Sequence, residues 1–193
     1  MGLIIEDGQG TGYSASVDDE NRLRTLAITR SMEHESNQEH GDAYSIPFSQ
    51  SPTAADDCIY YMKNTSDTDM VIEGVTIGAT DTGVADSVYF KLGDSGTRGT
   101  STDLTPVNLN AGSGKSADGD FEYGADIGTA GTLDGGTEFE RLTVGNGATA
   151  DLISRDFNFP QDVILPKNGV FTIYIGGSAG GTYYITVNMH YHD

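Results

Sequence analysis

An all-β, antiparallel, jelly-roll-like sandwich with an extended N-terminal arm is the fold that this sequence predicts, and three observations point to it. Gly supplies 26 of 193 residues, well above the ~7% of ordinary chains. Together with abundant Thr, Ser and Asp, it favours short strands joined by tight turns. Apolar, β-branched segments recur at intervals of roughly ten residues with no amphipathic helix between them, which excludes a parallel α/β layering. Near the C-terminus the alternation is regular: Tyr183, Ile185, Val187, Met189 and Tyr191 share one face, and Thr182, Tyr184, Thr186, Asn188 and His190 the other.

The elements follow in order. Residues 1–20 combine Leu3, Ile4 and Ile5 with Gly8, Gly10 and Gly12, and read as a flexible arm, because no Lys or following helix accompanies the glycines as a phosphate loop requires. Residues 21–193 form a single sandwich domain. RLRTLAITRSMEHES from Arg22 lacks a 3.6-residue period and is expected to be a strand. DAYSIPFS from Asp42 is a second, with Pro47 marking an edge. CIYYMKN, a polar turn over Thr65–Asp69 and MVIEGVTIG carry the composition of an antiparallel hairpin. Ser87–Gly93 alternates Val88, Phe90 and Leu92 against Tyr89 and Lys91, and Leu104, Val107 and Leu109 line DLTPVNLN. The Gly/Asp-rich interval 111–136 is too long for an ordinary connection and is the first place to expect a functional loop. Phe171, Ile173 and Ile175 precede a Gly-rich turn and the alternating C-terminal strand, which together read as a second hairpin.

Charge narrows the function. Ten Lys and Arg against 29 Asp and Glu give a formal charge of −19, spread along the chain, and such a surface repels a phosphate backbone, so nucleic acid is not an expected partner. A hydrophobic content of 36% is low for a compact globule and suggests apolar surface completed by a neighbouring subunit. A lone cysteine, Cys58, flanked by Ile59 and Tyr60, precludes an intramolecular disulfide and reads as a buried thiol. The opening MGLIIEDGQG has no basic n-region and too short an apolar run for a signal sequence or membrane span, so neither export nor membrane insertion is expected.

The opening IIEDGQGTGYSASVDDENRLRTLAITRSMEHESNQEHGDAYSI, the segment CIYYMKNTSDTDMVIEGVTIG and the ending ILPKNGVFTIYI with its alternating strand resemble recurrent elements of tailed-bacteriophage virion structural proteins. The resemblance covers both ends and the first apolar pair of segments; residues 84–147 match no element of that family. It implies a β-sandwich subunit assembled on a virion in the host cytoplasm, as a capsid decoration, head-fibre or tail-associated component, and it places no catalytic residue.

The chemical alternatives lack their constellations. His190 and His192 share a strand face, a spacing open to a metal but also common at a solvated terminus. Asp118, Asp120 and Glu122 resemble a calcium loop, except that Glu122 and Tyr123 stand where the third oxygen ligand and the Gly belong. Glu138 and Glu140 would fall on one strand face, yet the chain has no Trp to form a sugar platform. No nucleophile elbow, HExxH or Cys/His pair is present. The expectation is therefore a non-enzymatic protein without cofactor that binds other virion proteins and forms a homo-oligomer, a trimer by preference. Leu3, Ile4, Ile5, Tyr184, Thr186, Asn188 and His190 are its candidate subunit contacts. The alternative is a tail- or fibre-associated module binding host-surface carbohydrate, with Tyr89, Tyr123 or Tyr184 stacking on sugar.

Overall fold

The computed structural model describes residues 4–6, 14–17, 23–24, 37, 40–80, 86–128, 133–144, 153–177 and 181–192. The chain divides into two compact units, Met1–Ser31 and Met32–Asp193, so the boundary expected after residue 20 falls inside the first. That unit holds β1 (Ile4–Glu6), β2 (Ser14–Val17) and β3 (Leu23–Arg24) as an antiparallel sheet in chain order. Ile4 and Ile5 therefore belong to a paired strand rather than to an extended arm, Ile4 opposite Ser16 and Ile5 opposite Ala15. Of the strand expected from Arg22 onward, Leu23–Arg24 is present and the rest lies outside the described residues.

The second unit contains β4 (Ala43–Gln50), β5 (Asp57–Asn64), β6 (Asp69–Thr80), β7 (Asp86–Leu92), β8 (Thr102–Asp103), β9 (Val107–Asn108), β10 (Gly119–Tyr123), β11 (Thr137–Val144), β12 (Ile153–Leu165), β13 (Val170–Ile175) and β14 (Thr182–His192). They form a five-stranded sheet in the order β12-β6-β14-β4-β9 and a six-stranded sheet in the order β11-β7-β13-β5-β10-β8. Every neighbouring pair is antiparallel. Without β8, β9 and β10, the long strands form two four-stranded arrays, β4-β14-β6-β12 and β5-β13-β7-β11, with the chain changing sheet at every step but β7 to β11, which is jelly-roll connectivity. The expected all-β sandwich is the fold.

Alternation builds the core. Tyr44 and Ile46 on β4, Ile72, Val75 and Ile77 on β6, and Tyr183, Val187 and Met189 on β14 meet Tyr60 and Met62 on β5, Phe90 on β7 and Phe171 and Ile173 on β13. Phe90 lies at the centre of an aromatic group, with ring centroids 5.8 Å from Phe171, 6.1 Å from Phe157 and 5.6 Å from Phe159. Truncating such a ring costs ~3–5 kcal/mol, since the lost transfer energy adds to a cavity.

Both expected hairpins are overturned. β5 pairs with β10 and β13, and β6 with β12 and β14, so the turn after Asn64 carries the chain from one sheet to the other. The buried Asn64 side chain holds that corner, donating to Thr68 O at 2.9 Å and Leu165 O at 2.8 Å and accepting from Ser66 N. β13 and β14 likewise lie in different sheets. Their connection needs glycine: a Cβ on Gly177 would fall 1.0 Å from Asp86 Oδ1, and that carboxylate is fixed by the Tyr183 hydroxyl.

The interval 111–136 is not one long loop. It contributes β10, paired along its length with β5, and buries Ile127 and Leu133 in a second apolar cluster with Cys58, Tyr61, Tyr89, Val170 and Tyr174. Those partners occupy the outward face of the six-stranded sheet, so the chain between β7 and β11 roofs that sheet. Asp94, 2% exposed, fastens the roof. It accepts Thr172 Oγ1 at 2.5 Å and Tyr174 OH at 2.9 Å from β13, and Gly136 N at 2.8 Å from just before β11.

Removing the carboxylate strands several buried donors, each worth ~1–3 kcal/mol when unpaired. Asp94→Ala is expected to lower unfolding stability by at least ~3 kcal/mol, measured by urea denaturation. A loss below ~1 kcal/mol would show that the roof is held without it.

Candidate interaction surface

The outward face of the five-stranded sheet carries the most concentrated unpaired surface in the described residues. Tyr184 stands opposite Ser49 on β4 and Gly78 on β6, and Thr186 opposite Pro47 and Thr76. With such small neighbours the Tyr184 ring is left 48% exposed, and an open groove of about 390 Å³ runs between these residues. Pro47 is tolerated because β9 pairs with β4 only at Tyr44 and Ser45, so beyond that point β4 is an edge with no ladder bond to lose there.

Register places further apolar side chains on the same face. Val107 lies opposite Ser45, Leu109 continues that ladder by donating its N–H to Ala43 O, and Ile164 lies opposite Val71. Thus Val107, Leu109, Ile164 and Tyr184 share this face, leaving Phe139 as the remaining large hydrophobic side chain with high exposure among the described residues. From Tyr184 to Asn188 no outward position of β4, β14 or their partners on β6 is acidic; beside the strip, Asp156 accepts from Thr76 Oγ1 at 2.8 Å and Glu73 is engaged with His190. Sequence reasoning singled out Tyr184, Thr186 and Asn188 as contacts and placed Val107 and Leu109 on an extended segment without assigning them to a surface, because the period alone does not say which face is covered.

His190 departs from expectation. It is 4% exposed, its Nδ1 lies 2.6 Å from Glu73 Oε1, and neighbouring Val71 and Ala43 are buried as well. The open run of outward side chains along β14 therefore ends at Asn188, and His190 is a packed residue rather than a contact on free surface. Leu3 lies outside the described residues.

The other sequence candidates are occupied by local partners. Asp120 and Glu122 share a face of β10, but Arg98 sits between them, Nη1 at 3.3 Å from Asp120 Oδ2 and 3.2 Å from Glu122 Oε1. Glu122 also accepts from Ser101 Oγ at 2.6 Å, and Asp118 Oδ1 accepts from Thr65 Oγ1. The three carboxylates that a calcium ion would need are thus turned to protein donors, Asp120 and Glu122 to a shared Arg98 and Asp118 to Thr65. Among the described residues no group of three or more His, Cys, Asp and Glu side chains is placed to hold a metal ion. Glu138 and Glu140 do not share a face: a bulge sets Glu138 opposite Lys91 and Glu140 opposite Phe90. Arg141 grips Glu138 through two 2.7 Å bonds while its guanidinium stacks 4.5 Å from the Tyr89 ring. Tyr89 is 5% exposed and donates its hydroxyl to Asp56, which removes it as a sugar platform. Cys58 is fully buried, and burial pushes its thiol well above the ordinary range.

Comparison with known proteins finds no matching family model, no matching curated protein and no matching solved structure. The class of protein is thus defined by fold and surface alone, an acidic jelly-roll sandwich with one sheet face that is partly apolar and carries no charge on the outward positions of β4 and β14 from Tyr184 to Asn188.

Three outcomes test this geometry. Iodoacetamide at mildly alkaline pH is expected to label Cys58 only after denaturation, read by mass spectrometry; labelling of the native chain would contradict the burial. Excess chelator or added calcium is expected to leave the melting temperature unchanged, because a ligand bound only by the folded state must raise it. The hydrogen bonds from Arg141 hold the Glu138 carboxyl below the usual carboxylate range. A folded pKa below the unfolded one adds stability at pH values above the unfolded pKa, lost as pH falls through the folded value. For so exposed a pair the contribution is small. Arg141→Ala is expected to return the Glu138 titration upward to the ordinary range by NMR, and an unmoved titration would show that the pair does not persist in solution.

Proposed function

We propose that the chain is a non-enzymatic structural subunit of a tailed-bacteriophage virion, a capsid decoration or head-associated protein that docks on the capsid lattice and on neighbouring copies. The observation that carries this reading is the gathering of Val107, Leu109, Ile164 and Tyr184 on one face of the five-stranded sheet. Exposed apolar side chains concentrated on one face mark an interaction site, and in a chain of formal charge −19 copies approach one another most cheaply around Tyr184, where the outward positions of β4 and β14 carry no carboxylate. The jelly-roll fold is common among viral capsid domains, which agrees with the resemblance carried by the chain's two ends, although fold alone does not fix function. The calcium candidates Asp120 and Glu122 are engaged by Arg98, and Glu138 of the carboxylate pair weighed for glycoside hydrolysis is engaged by Arg141.

The decisive test replaces Thr186 and Asn188 together by Asp. Both are partly exposed strand positions, so the melting temperature should move little. Occupancy on purified particles, measured by quantitative gel densitometry and cryo-electron microscopy, is expected to fall at least about tenfold, as desolvated like charges across an interface cost several kcal/mol. Full occupancy by the double variant would overturn the assignment of this face.

A further inference from the structure

A second groove, apart from the docking face, has the chemistry of a small-ligand site. It lies where the end of β4, the turn before β5, the approach to β8 and the end of β10 converge, and its volume is about 440 Å³, within the range of small-molecule sites. The Tyr123 ring forms one wall, backed by Phe48 at a centroid distance of 5.9 Å and a tilt of 44°. Gly124 and Ala125 form part of the lining. Gly124 is required there, since a Cβ would meet Thr100 O at 2.7 Å.

The remaining lining is hydroxyl, amide and carboxylate: Gln50, Thr53, Thr100, Ser101, Thr102 and Asp126. Some of these groups are already oriented. Thr53 Oγ1 donates to Asp57 Oδ2 at 2.7 Å, and Ser101 Oγ donates to Glu122 Oε2 at 2.6 Å. Both carboxylates are buried, Asp57 at 2% and Glu122 at 7% exposure, and Glu122 is held in turn by Arg98. A hydroxyl has one proton and two lone pairs, so spending its proton on a fixed carboxylate leaves its oxygen as a preset acceptor. Gln50 uses its Nε2 on Ser51 O, which leaves the amide oxygen free to accept.

These features select a ligand class. No Lys, Arg or His lines the groove, so a phosphate, sulfate or carboxylate group would find no counter-charge in a strongly acidic protein. A lipid or hydrocarbon would strand the hydroxyl, amide and carboxylate groups of the lining without partners. A neutral ring that donates several hydroxyl protons and offers an apolar C–H face to an aromatic wall satisfies both halves of the site. We propose that this groove binds a neutral saccharide unit, with Tyr123 stacking on the sugar ring and Thr53, Ser101 and Gln50 accepting from its hydroxyls. The site involves none of the docking-face residues Tyr184, Thr186 or Asn188, so it stands or falls independently of the virion assignment.

The test is saturation-transfer difference NMR on the full chain with glucose, galactose, mannose, N-acetylglucosamine and their β-linked disaccharides at tens of millimolar. The expected result is transfer to ring C–H protons of at least one of them. Tyr123→Ala should weaken that binding about tenfold, the size of one lost aromatic contact of ~1.4 kcal/mol. Thr102 is exposed on the rim, so Thr102→Arg blocks the groove without touching the core, and it should abolish transfer with an unchanged melting temperature even if Tyr123→Ala proves unstable. No transfer from any of these saccharides overturns the proposal. Transfer that survives Thr102→Arg, or that is lost in Tyr184→Ala instead, overturns it equally by placing the sugar elsewhere.

Discussion

The larger unit depends on the buried carboxylate of Asp94. Eight long strands could make a sandwich without it, but the outward face of the six-stranded sheet would then present Cys58, Tyr61, Tyr89 and Tyr174 to water. The chain between β7 and β11 covers them, and it can do so only if both its ends are held against the sheet. Asp94 leads the chain out of β7 and receives Gly136 on its return, while its other oxygen is fastened to Thr172 and Tyr174 in the middle of the sheet. Asp94 thereby helps to close a long excursion, together with the reciprocal backbone bonds between Ser95 and Asp134, and the entropy cost of closing a loop grows only slowly with its length. Downstream of this pin the excursion also supplies β8 and β10 to one sheet and β9 to the other, covering backbone edges that would otherwise invite pairing.

Local pattern in the sequence was a sound guide to strands and a poor one to partners. The alternation of Tyr183, Ile185, Val187 and Met189 reappears as core-facing residues, and Cys58 is the buried thiol it resembled. What failed was the pairing of neighbours in sequence. A short polar turn between two apolar strands has the same composition whether it folds a hairpin or carries the chain across the ~10 Å between packed sheets. The choice is made by distant contacts such as Asn64 with Leu165, to which a local window is blind. The same blindness explains the Gly/Asp-rich interval. Ile127 and Leu133 look isolated in sequence, but the sheet surface they cover is supplied by residues far from them. Single-residue insertions were equally illegible: the bulge in β11 turns Glu138 and Glu140 to opposite sides.

Electrostatics divides the molecule's two outer faces. The cations Lys91, Arg98 and Arg141 sit on the six-stranded sheet and lie against tyrosine rings, Lys91 at 4.2 Å from Tyr174 and Arg98 at 4.5 Å from Tyr61. Such contacts are stronger where water is partly excluded, and each guanidinium also answers a carboxylate, so scarce positive charge is spent on holding the roof. The five-stranded face has little charge of either sign around Tyr184. A protein so acidic repels other acidic surfaces over most of its own, and that repulsion is weakest around Tyr184.

The position of β14 has a consequence for how such a molecule comes into being. It lies between β6 and β4, and β13 lies between β5 and β7, so the two strands made last are the central ones of both sheets. While the ribosome is still upstream of Val170, the earlier strands have gaps where their partners belong, and neither sheet can zip outward from a finished hairpin. The pairings of β13 and β14 must therefore wait and then form in large part over long sequence separations, the regime in which folding is slow and exposed strand edges are vulnerable. A strong net negative charge suits that interval, because partly made chains crowding on one message repel one another before they can pair wrongly.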